Sequence, residues 1–253
     1  MAIQVSQRAL KKVRIYEDEG VGRRYLPYVL HMFRDYDATT IDAAEVVDGR
    51  WMEEAAVLCI PGGAARFYAE KLNGRGNENI KSFAQKGGAY LGICAGAYYG
   101  AARTEFYRGD PLEIICEDEL KFFRGTAIGP AFGKLVYGTD RYVTFSNNII
   151  DFQNEKKHAN VMFYGGPYFT DLERDDEISI LARYGEIDQP SIIHKKYGRG
   201  SVVLCGVHPC IDETFFTEKA SKYLLKLGAP LSQTAAVRRE LIESIFRLLG
   251  LCD

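Results

Sequence analysis

A cysteine at the junction of a strand and a helix is the residue best suited to covalent chemistry. Cys94 follows the apolar segment 89–93 and precedes the small residues 95–97, which open the next predicted helix. Side chains two positions before and after a nucleophile would clash across so sharp a corner, and Gly92 and Gly96 occupy those positions. A helix N-terminus also lowers the pKa of a cysteine and favours the thiolate. Cys94 is therefore the predicted nucleophile, and the alternative is an inert thiol beside a closely packed helix.

Backbone N–H groups near Cys94 could stabilise the oxyanion that forms when a thiolate attacks an acyl carbon. The N–H of Ala95 follows the nucleophile directly, while Gly62 and Gly63 follow a second apolar segment, 55–60. In an open α/β sheet, functional groups gather at the carboxyl ends of the strands. We therefore predict an oxyanion hole formed by Ala95 together with Gly62 or Gly63.

His208 is the predicted general base. It ends the apolar segment 201–207 and is followed by Pro209, which halts a strand. A histidine at a strand end beside a nucleophile can accept its proton, and the alternative is a histidine that merely caps the strand. The other histidines lie in helix-like or polar segments: His31, His158 and His194.

The six cysteines do not form a metal-binding pattern. None belongs to a C-x-x-C pair, and Cys59 lies inside an apolar segment where buried thiols are common. A site made of Cys205, His208 and Cys210 would need side chains that strand alternation points apart. We expect no metal and no cofactor.

An aromatic, glycine-containing segment is the predicted wall of a substrate pocket. In FYGGPYF, residues 163–169, Gly165 and Gly166 allow a close backbone approach, and Tyr168 supplies a flat apolar surface. Tyr98 adds an aromatic ring close to Cys94 in sequence. The alternative is a hairpin-like turn with packed aromatic side chains.

The elements that must position these residues alternate between strands and helices, which predicts an α/β fold with a mainly parallel sheet flanked by helices. Strands are expected at 12–16, near 39–41, and at 55–60, 89–93, 178–184, 191–198 and 201–209. Helices are expected at 25–36, at 77–86 with Asn77 as N-cap, near 218–227 with a stop at Gly228 and Pro230, and near 234–249. Residues 105–155 alternate apolar and polar side chains and predict an antiparallel β extension.

Composition limits the classes of function. The 253 residues carry 32 basic and 34 acidic side chains, and with a net charge of −2 we expect no nucleic-acid partner. No segment has the apolar length of a signal peptide or a membrane span, so we expect a cytoplasmic protein without membrane contact. We expect one domain over 1–253, with residues 1–11 as an N-terminal arm.

Three motifs give the chain a family resemblance. Residues 61–63 (PGG), 92–96 (GICAG) and 208–209 (HP), in this order, resemble the class I glutamine amidotransferase-like superfamily. More narrowly, 92–100 and 163–169 resemble the amidotransferase-like domain at the N-terminus of eukaryotic biotin–protein ligases and its free-standing bacterial relatives. The resemblance covers nearly the whole chain and implies a flavodoxin-like sheet. It also implies that the cysteine forms a thioester by attacking an amide carbonyl, while the histidine shuttles the proton.

The chain departs from the superfamily at two positions. Cys210 stands where glutamine-hydrolysing members have a glutamate that orients the histidine, and Tyr98 stands where they usually have a glutamine that holds the substrate. Free glutamine is therefore not the expected substrate. The position of Cys210 in the family, behind the histidine, also argues against a disulfide with Cys94. Five acids remain candidates to orient the histidine: Glu17, Asp18, Glu19, Asp212 and Glu213.

These residues leave three functional hypotheses open. The first is a thiol hydrolase or amidotransferase-like enzyme that uses Cys94 and His208 on a small amide, ester or thioester. The second is a non-catalytic module that binds a small ligand and has no biotin ligase activity. The third is a redox protein in which Cys94 is readily oxidised. A partner protein or a second copy of the chain could assemble with any of them.

Overall fold

The continuous apolar runs of the sequence form the centre of the structure. A computed structural model describes residues 10–133, 143–152, 155–175, 177–215 and 222–252. The strands are, in chain order, β1 (Lys12–Tyr16), β2 (Asp37–Ile41), β3 (Ala55–Ile60), β4 (Ala89–Ile93), β5 (Ala101–Phe106), β6 (Ile114–Glu117), β7 (Phe123–Gly129), β8 (Thr144–Asp151), β9 (Lys156–Phe163), β10 (Tyr168–Thr170), β11 (Ile178–Tyr184), β12 (Gln189–Tyr197) and β13 (Gly200–Cys205). The helices are α1 (Leu26–Met32), α2 (Ala43–Asp48), α3 (Ala65–Leu72), α4 (Arg75–Gln85), α5 (Ala95–Gly100), α6 (Lys222–Gln233) and α7 (Ala235–Leu248).

The main sheet brings the predicted functional residues to one edge. Its nine strands are ordered β2-β1-β3-β4-β13-β12-β11-β8-β9. Strands β2, β1, β3, β4 and β13 are parallel neighbours, whereas the pairs from β13 onwards to β9 are antiparallel. Because β3, β4 and β13 end at the same edge, the segments that follow them meet there. The predicted α/β fold is confirmed.

The middle of the chain does not form the single antiparallel extension that its alternation predicts. Strands β10, β7, β5 and β6 form a second sheet in that order, and β5 pairs with β7 in parallel. Strand β8 instead joins the main sheet between β11 and β9. Alternation shows which face of a strand is buried but not which strand it pairs with, and so it could not separate the two sheets. Residues 134–142 and 153–154 of the predicted extension lie outside the described residues.

Three predicted helix boundaries are wrong. Helix α1 ends at Met32 and not at residue 36. Helix α4 begins at Arg75, and Asn77 lies inside it, where its amide donates to Asn73 Oδ1 at 3.0 Å and to Glu119 Oε2 at 2.8 Å. Helix α6 continues through Pro230 to Gln233. The Pro230 carbonyl accepts a hydrogen bond from Asn160 Nδ2 at 2.9 Å, so tertiary contacts hold this turn where local sequence predicts a stop.

Several of the remaining strands follow the prediction closely, but β13 ends at Cys205, so His208 lies in the segment after the strand and not at its end. The bounds of β1, β3, β4 and β11 agree with the predicted strands, and α7 lies within the predicted C-terminal helix. Of the helices in the described parts of the chain, none is long and apolar enough to cross a membrane. Residues 1–9 are outside the described residues, and the N-terminal arm and the single-domain boundaries stay predictions.

Candidate active site

The corner between β4 and α5 has the shape that the glycine spacing predicts. Cys94 has a φ of 52° and a ψ of −101°, a backbone conformation that residues other than glycine rarely adopt. A Cβ on Gly92 would overlap the carbonyl oxygen of Gly96, and a Cβ on Gly96 would overlap that of Ile60. The cysteine is held in this corner by its own N–H, which donates to the Cys205 carbonyl on β13 at 2.7 Å.

Gly62 marks the point where the cysteine and the histidine come together. A Cβ placed on Gly62 would lie 2.7 Å from His208 Cε1 and 3.3 Å from Cys94 Cβ. The N–H of His208 donates to the Met162 carbonyl at 2.9 Å, which fixes its backbone against the end of β9. The absence of a side chain at Gly62 therefore makes room for the imidazole beside the cysteine.

The thiol itself makes a contact that the sequence did not predict. Cys94 Sγ donates to the main-chain carbonyl of Tyr164 at 3.4 Å. This carbonyl belongs to the aromatic, glycine-containing segment that follows β9. In this arrangement the thiol proton is directed to a backbone oxygen, and a carbonyl acceptor favours the protonated form of the sulfur.

Burial opposes the thiolate that a helix N-terminus would favour. The Cys94 side chain is 6% exposed, and desolvation raises its pKa to about 12 despite the nearby N–H of Ala95, which acts in the opposite direction. The pKa of Cys94 is therefore raised, whereas the sequence analysis predicts that the helix N-terminus lowers it. Helix α5 has only six residues, so its dipole is small, while removal of water acts on the full charge of a thiolate.

The His208 imidazole is also buried and is neutral at pH 7. The residue is 2% exposed, and desolvation lowers its pKa from 6.5 to about 4. Within the described residues its Nε2 atom has no hydrogen-bond partner. A neutral imidazole with a free ring nitrogen is the form that a general base needs.

None of the five candidate acids is hydrogen bonded to His208 in the described parts of the chain. Glu213 pairs with Arg238 at 2.6 Å, and Asp212 accepts from the N–H of Thr214 at 2.9 Å. The others lie at the end of β1: Asp18 and Glu19 face Lys71 at 3.0 and 3.7 Å, and Glu17 is exposed. The histidine is therefore oriented by its backbone and by packing.

Of the predicted oxyanion donors, Ala95 follows Cys94 in the chain and Gly62 lies against its Cβ, whereas Gly63 lies against Gly20 and Tyr68. The Gly62 carbonyl accepts from Gly22 N and the Gly20 carbonyl accepts from Ala64 N, both at 2.9 Å. Among the backbone hydrogen bonds of the described residues outside regular strands and helices, none has the N–H of Gly62 or Gly63 as its donor. Together with Ala95 they remain the candidates for an oxyanion hole.

The predicted pocket residues mainly build and hold the loop after β9. The Tyr98 hydroxyl donates to the Gly165 carbonyl at 3.0 Å, and Gly165 has a φ of 72°. A Cβ on Gly166 would overlap the carbonyl oxygen of Gly206, so this glycine permits a close backbone contact. Tyr168 is half-buried on β10. This loop carries the Tyr164 carbonyl to the thiol.

An aromatic residue that sequence reasoning missed lies next to the histidine. The Tyr25 ring centroid is 5.8 Å from that of His208, 5.9 Å from that of Tyr164 and 5.5 Å from that of Phe215. No motif marks Tyr25 in the sequence, where it is one tyrosine among sixteen. Its neighbours in space come from three distant segments, so only the fold could identify it.

The described residues hold no group of three or more histidine, cysteine or acidic side chains arranged to bind a metal. Cys205 and Cys210 are buried free thiols. Burial raises the pKa of Cys210 to about 12, as expected for an inert thiol.

Comparison with known proteins places the chain in a family. The sequence model of the family described as "Biotin-protein ligase, N terminal" matches residues 11–252. A biotin–protein ligase of Schizosaccharomyces pombe is 33% identical over 252 residues, which cover 94% of this chain and 38% of the ligase. An uncharacterized protein of Chlamydia muridarum is 31% identical over 210 residues, covering 79% of this chain and 80% of that protein. This chain thus corresponds to little more than a third of the length of the yeast ligase.

Solved structures confirm the predicted amidotransferase-like fold. A GMP synthase-like protein from Thermoplasma acidophilum has a TM-score of 0.53 at 13% identity, covering 93% of this chain and 99% of that one. The PurLQS structure from Thermotoga maritima has a TM-score of 0.55 at 13% identity, covering 90% and 98%. With the family match over nearly its whole length, the chain belongs to the biotin-protein ligase N-terminal family and has a class I glutamine amidotransferase-like fold.

Proposed function

We propose that this chain is a cytoplasmic, cysteine-dependent enzyme that transfers the acyl group of a small amide, ester or thioester to water or to an amine. One observation carries the proposal: Cys94 Cβ and the His208 imidazole both lie against Gly62. Free glutamine is not the proposed substrate, because Tyr98 is occupied with the Gly165 carbonyl.

The reaction would begin with two neutral groups. As Cys94 Sγ forms a bond to the acyl carbon, its proton passes to His208 and the carbonyl oxygen becomes an oxyanion near Ala95 and Gly62. Collapse of this intermediate breaks the bond to the leaving group, which takes the proton from His208. Water or an amine then attacks the thioester, with His208 again accepting the proton and returning it to the sulfur. The thiol must first release the Tyr164 carbonyl.

The proposal is tested by acylation of the intact protein with p-nitrophenyl acetate. Trypsin releases Cys94 in the peptide Gly87–Arg103, and the exposed Cys252 lies in a separate C-terminal peptide that serves as an internal reference. We expect transient acetylation of Cys94, followed by release of acetate. His208→Asn should slow acetylation of Cys94 by about 100-fold or more and leave that of Cys252 unchanged.

A matched control replaces the reference cysteine. Cys252→Ala should turn over the ester like the wild type, whereas Cys94→Ala should lose turnover. Acetylation of Cys94 that is no faster than that of Cys252 and independent of His208 would refute the enzymatic proposal.

A non-catalytic binding module is the second candidate, and a specific observation favours it. The Cys94 thiol is protonated, buried and bonded to the Tyr164 carbonyl, and His208 has no acid partner in the described residues. If this candidate is right, the Cys94→Ser variant will rescue a deletion strain as well as the wild-type protein does. Loss of function in that variant would exclude it. Biotin ligation is no part of either proposal, because the chain aligns with 38% of the yeast ligase.

A further inference from the structure

The loop between β1 and α1 is hydrogen bonded to the strand end that carries the candidate oxyanion donors. Val21 forms an antiparallel bridge with Gly63, and the N–H of Gly22 donates to the Gly62 carbonyl at 2.9 Å. Tyr25, three residues further on, has its ring 5.8 Å from His208. The two residues between Gly22 and Tyr25 therefore belong to a stretch of chain that lies beside the site.

Those residues are two exposed arginines. The Arg24 guanidinium lies 4.8 Å from the ring centroid of Phe215, whose ring in turn packs on Tyr25. Arg23 makes no ion pair within the described residues. A basic rim thus follows the loop next to the buried cysteine and histidine.

A third arginine lies across the same backbone bridge. Arg66 is in the first turn of α3, which begins just after Gly63, and its guanidinium is 4.6 Å from the Phe67 ring centroid. Phe67 packs against Gly20, on the loop that carries Arg23. Arg66 has no acidic partner in the parts of the chain that are described, and the start of α3 has no side-chain cap.

The acidic residues of this region face other groups. Asp18 accepts from the N–H of Ala43 at 3.0 Å, and both Asp18 and Glu19 face Lys71. The N–H of Glu17 donates to the carbonyl of Ile41, the last residue of β2, and Glu17 is exposed. On the other side of the site, Asp212 is bonded to Thr214 and Glu213 to Arg238. Asp18, Glu19 and Glu213 therefore pair with basic groups other than Arg23 and Arg66, and neither arginine has an ion-pair partner among the described residues.

We propose that the substrate carries an anionic group, a carboxylate or a phosphate, which Arg23 and Arg66 bind while the acyl carbon reaches Cys94. This inference rests on the proposed function and adds the chemical class of the substrate to it. Arginine forks bind either anion through paired hydrogen bonds. The buried Nε2 atom of His208, which has no partner among the described residues, is a second indication that a ligand completes this site.

The test compares alkylation of Cys94 by iodoacetate, which is anionic, with alkylation by the neutral iodoacetamide. Both reagents meet the same thiol and the same barrier to entry, so the ratio of their rates isolates the effect of charge. The ratio at Cys252 in the same molecule corrects for intrinsic reactivity. We divide the iodoacetate rate by the iodoacetamide rate at Cys94, and then by the same quotient at Cys252. We expect this corrected ratio to be about five or more at low salt and to fall as salt screens the arginines.

The Arg23→Gln/Arg66→Gln variant should bring the ratio close to that of Cys252 without changing the rate with iodoacetamide, which also shows that the site is intact. Arg50→Gln is the matched control, because Arg50 pairs with Asp48 before β3, at the opposite end of that strand. Arg24 is left in place because its loss would remove packing from Phe215. Slower iodoacetate labelling in succinate indicates a carboxylate, and slower labelling in inorganic phosphate at equal ionic strength indicates a phosphate.

Two results would overturn the inference in distinguishable ways. If Cys94 reacts with both reagents at the ratio of Cys252, or if the double variant keeps an elevated ratio, the anionic substrate is wrong while the proposed function stands. If neither reagent labels Cys94 even after prolonged exposure, the proposed function fails, and this inference fails with it.

Discussion

Replacement of His208 by glutamine should remove a defined part of the pH dependence of stability. Burial lowers the pKa of the imidazole from 6.5 to about 4 in the folded chain, so the unfolded chain binds a proton that the folded chain rejects. The contribution of His208 to wild-type stability should therefore be complete above pH 7 and should fall as the pH falls through 6.5 towards 4. Worked from the two pKa values, the loss is about 2 kcal/mol at pH 5 and approaches about 3 kcal/mol below pH 4.

Equilibrium urea unfolding under reducing conditions measures this loss between pH 7.5 and 5. The relevant quantity is the difference in free energy of unfolding between wild type and His208→Gln, because contributions from all other groups cancel in it. This difference should change by about 2 kcal/mol in favour of the variant as the pH falls to 5. A constant offset, caused by different packing of the amide, does not affect the result.

Cys94→Ala is the matched control at the same site. The pKa of the Cys94 thiol is about 12 in the folded chain, so this thiol is protonated over the whole pH range, and its difference curve should be flat. A difference curve for His208→Gln that is equally flat, within about 0.5 kcal/mol, would show that the imidazole is not desolvated. The reasoning that makes it a neutral base would then be wrong.

Three further predictions concern other positions. Gly62→Ala should lower the free energy of unfolding by about 1–3 kcal/mol and slow acetylation of Cys94 by about 100-fold, because the new Cβ would press on His208. Thermal melts measure the first effect and the ester assay the second. Turnover at the wild-type rate would contradict this account of the site. Tyr98→Phe should cost about 1–3 kcal/mol, because the Gly165 carbonyl loses its donor, and hydrogen exchange of that loop should speed up; unchanged exchange would count against its role as a brace. Burial raises the pKa of Asp118 to about 7, so this carboxyl stabilises the folded chain less as the pH rises from 5 to 8. Asp118→Asn should therefore gain stability relative to the wild type over this range, and a difference between the two free energies of unfolding that does not change with pH would refute this.

Local sequence was sufficient to predict the strands at the centre of the sheet. The segment AAVLCI is an uninterrupted apolar run ended by Pro61, and β3 has the predicted bounds. A run of this kind must be covered on both faces, and a proline that follows it cannot continue the ladder. The corner at Cys94 was predictable for the same reason, because the steric demand for Gly92 and Gly96 acts within a few residues.

Pairing between distant segments was not predictable in this way. The parallel pairing of β5 with β7, and the insertion of β8 beside β11, depend on contacts between residues far apart in sequence. The continuation of α6 through Pro230 has the same cause, since Asn160 on β9 holds the Pro230 carbonyl. Local propensity is a small contribution that such contacts override.

The sequence by itself identified the types of residue that could do chemistry: a cysteine in a glycine corner, a histidine at a strand end and a Pro-Gly-Gly turn. Only the tertiary structure decided their protonation, because desolvation and hydrogen bonding depend on everything that surrounds a group. It buried Cys94 and His208 so that both are neutral, gave the thiol the Tyr164 carbonyl as acceptor, and added Tyr25. Residue identity is local, whereas the free energy of a charge is a property of the whole fold.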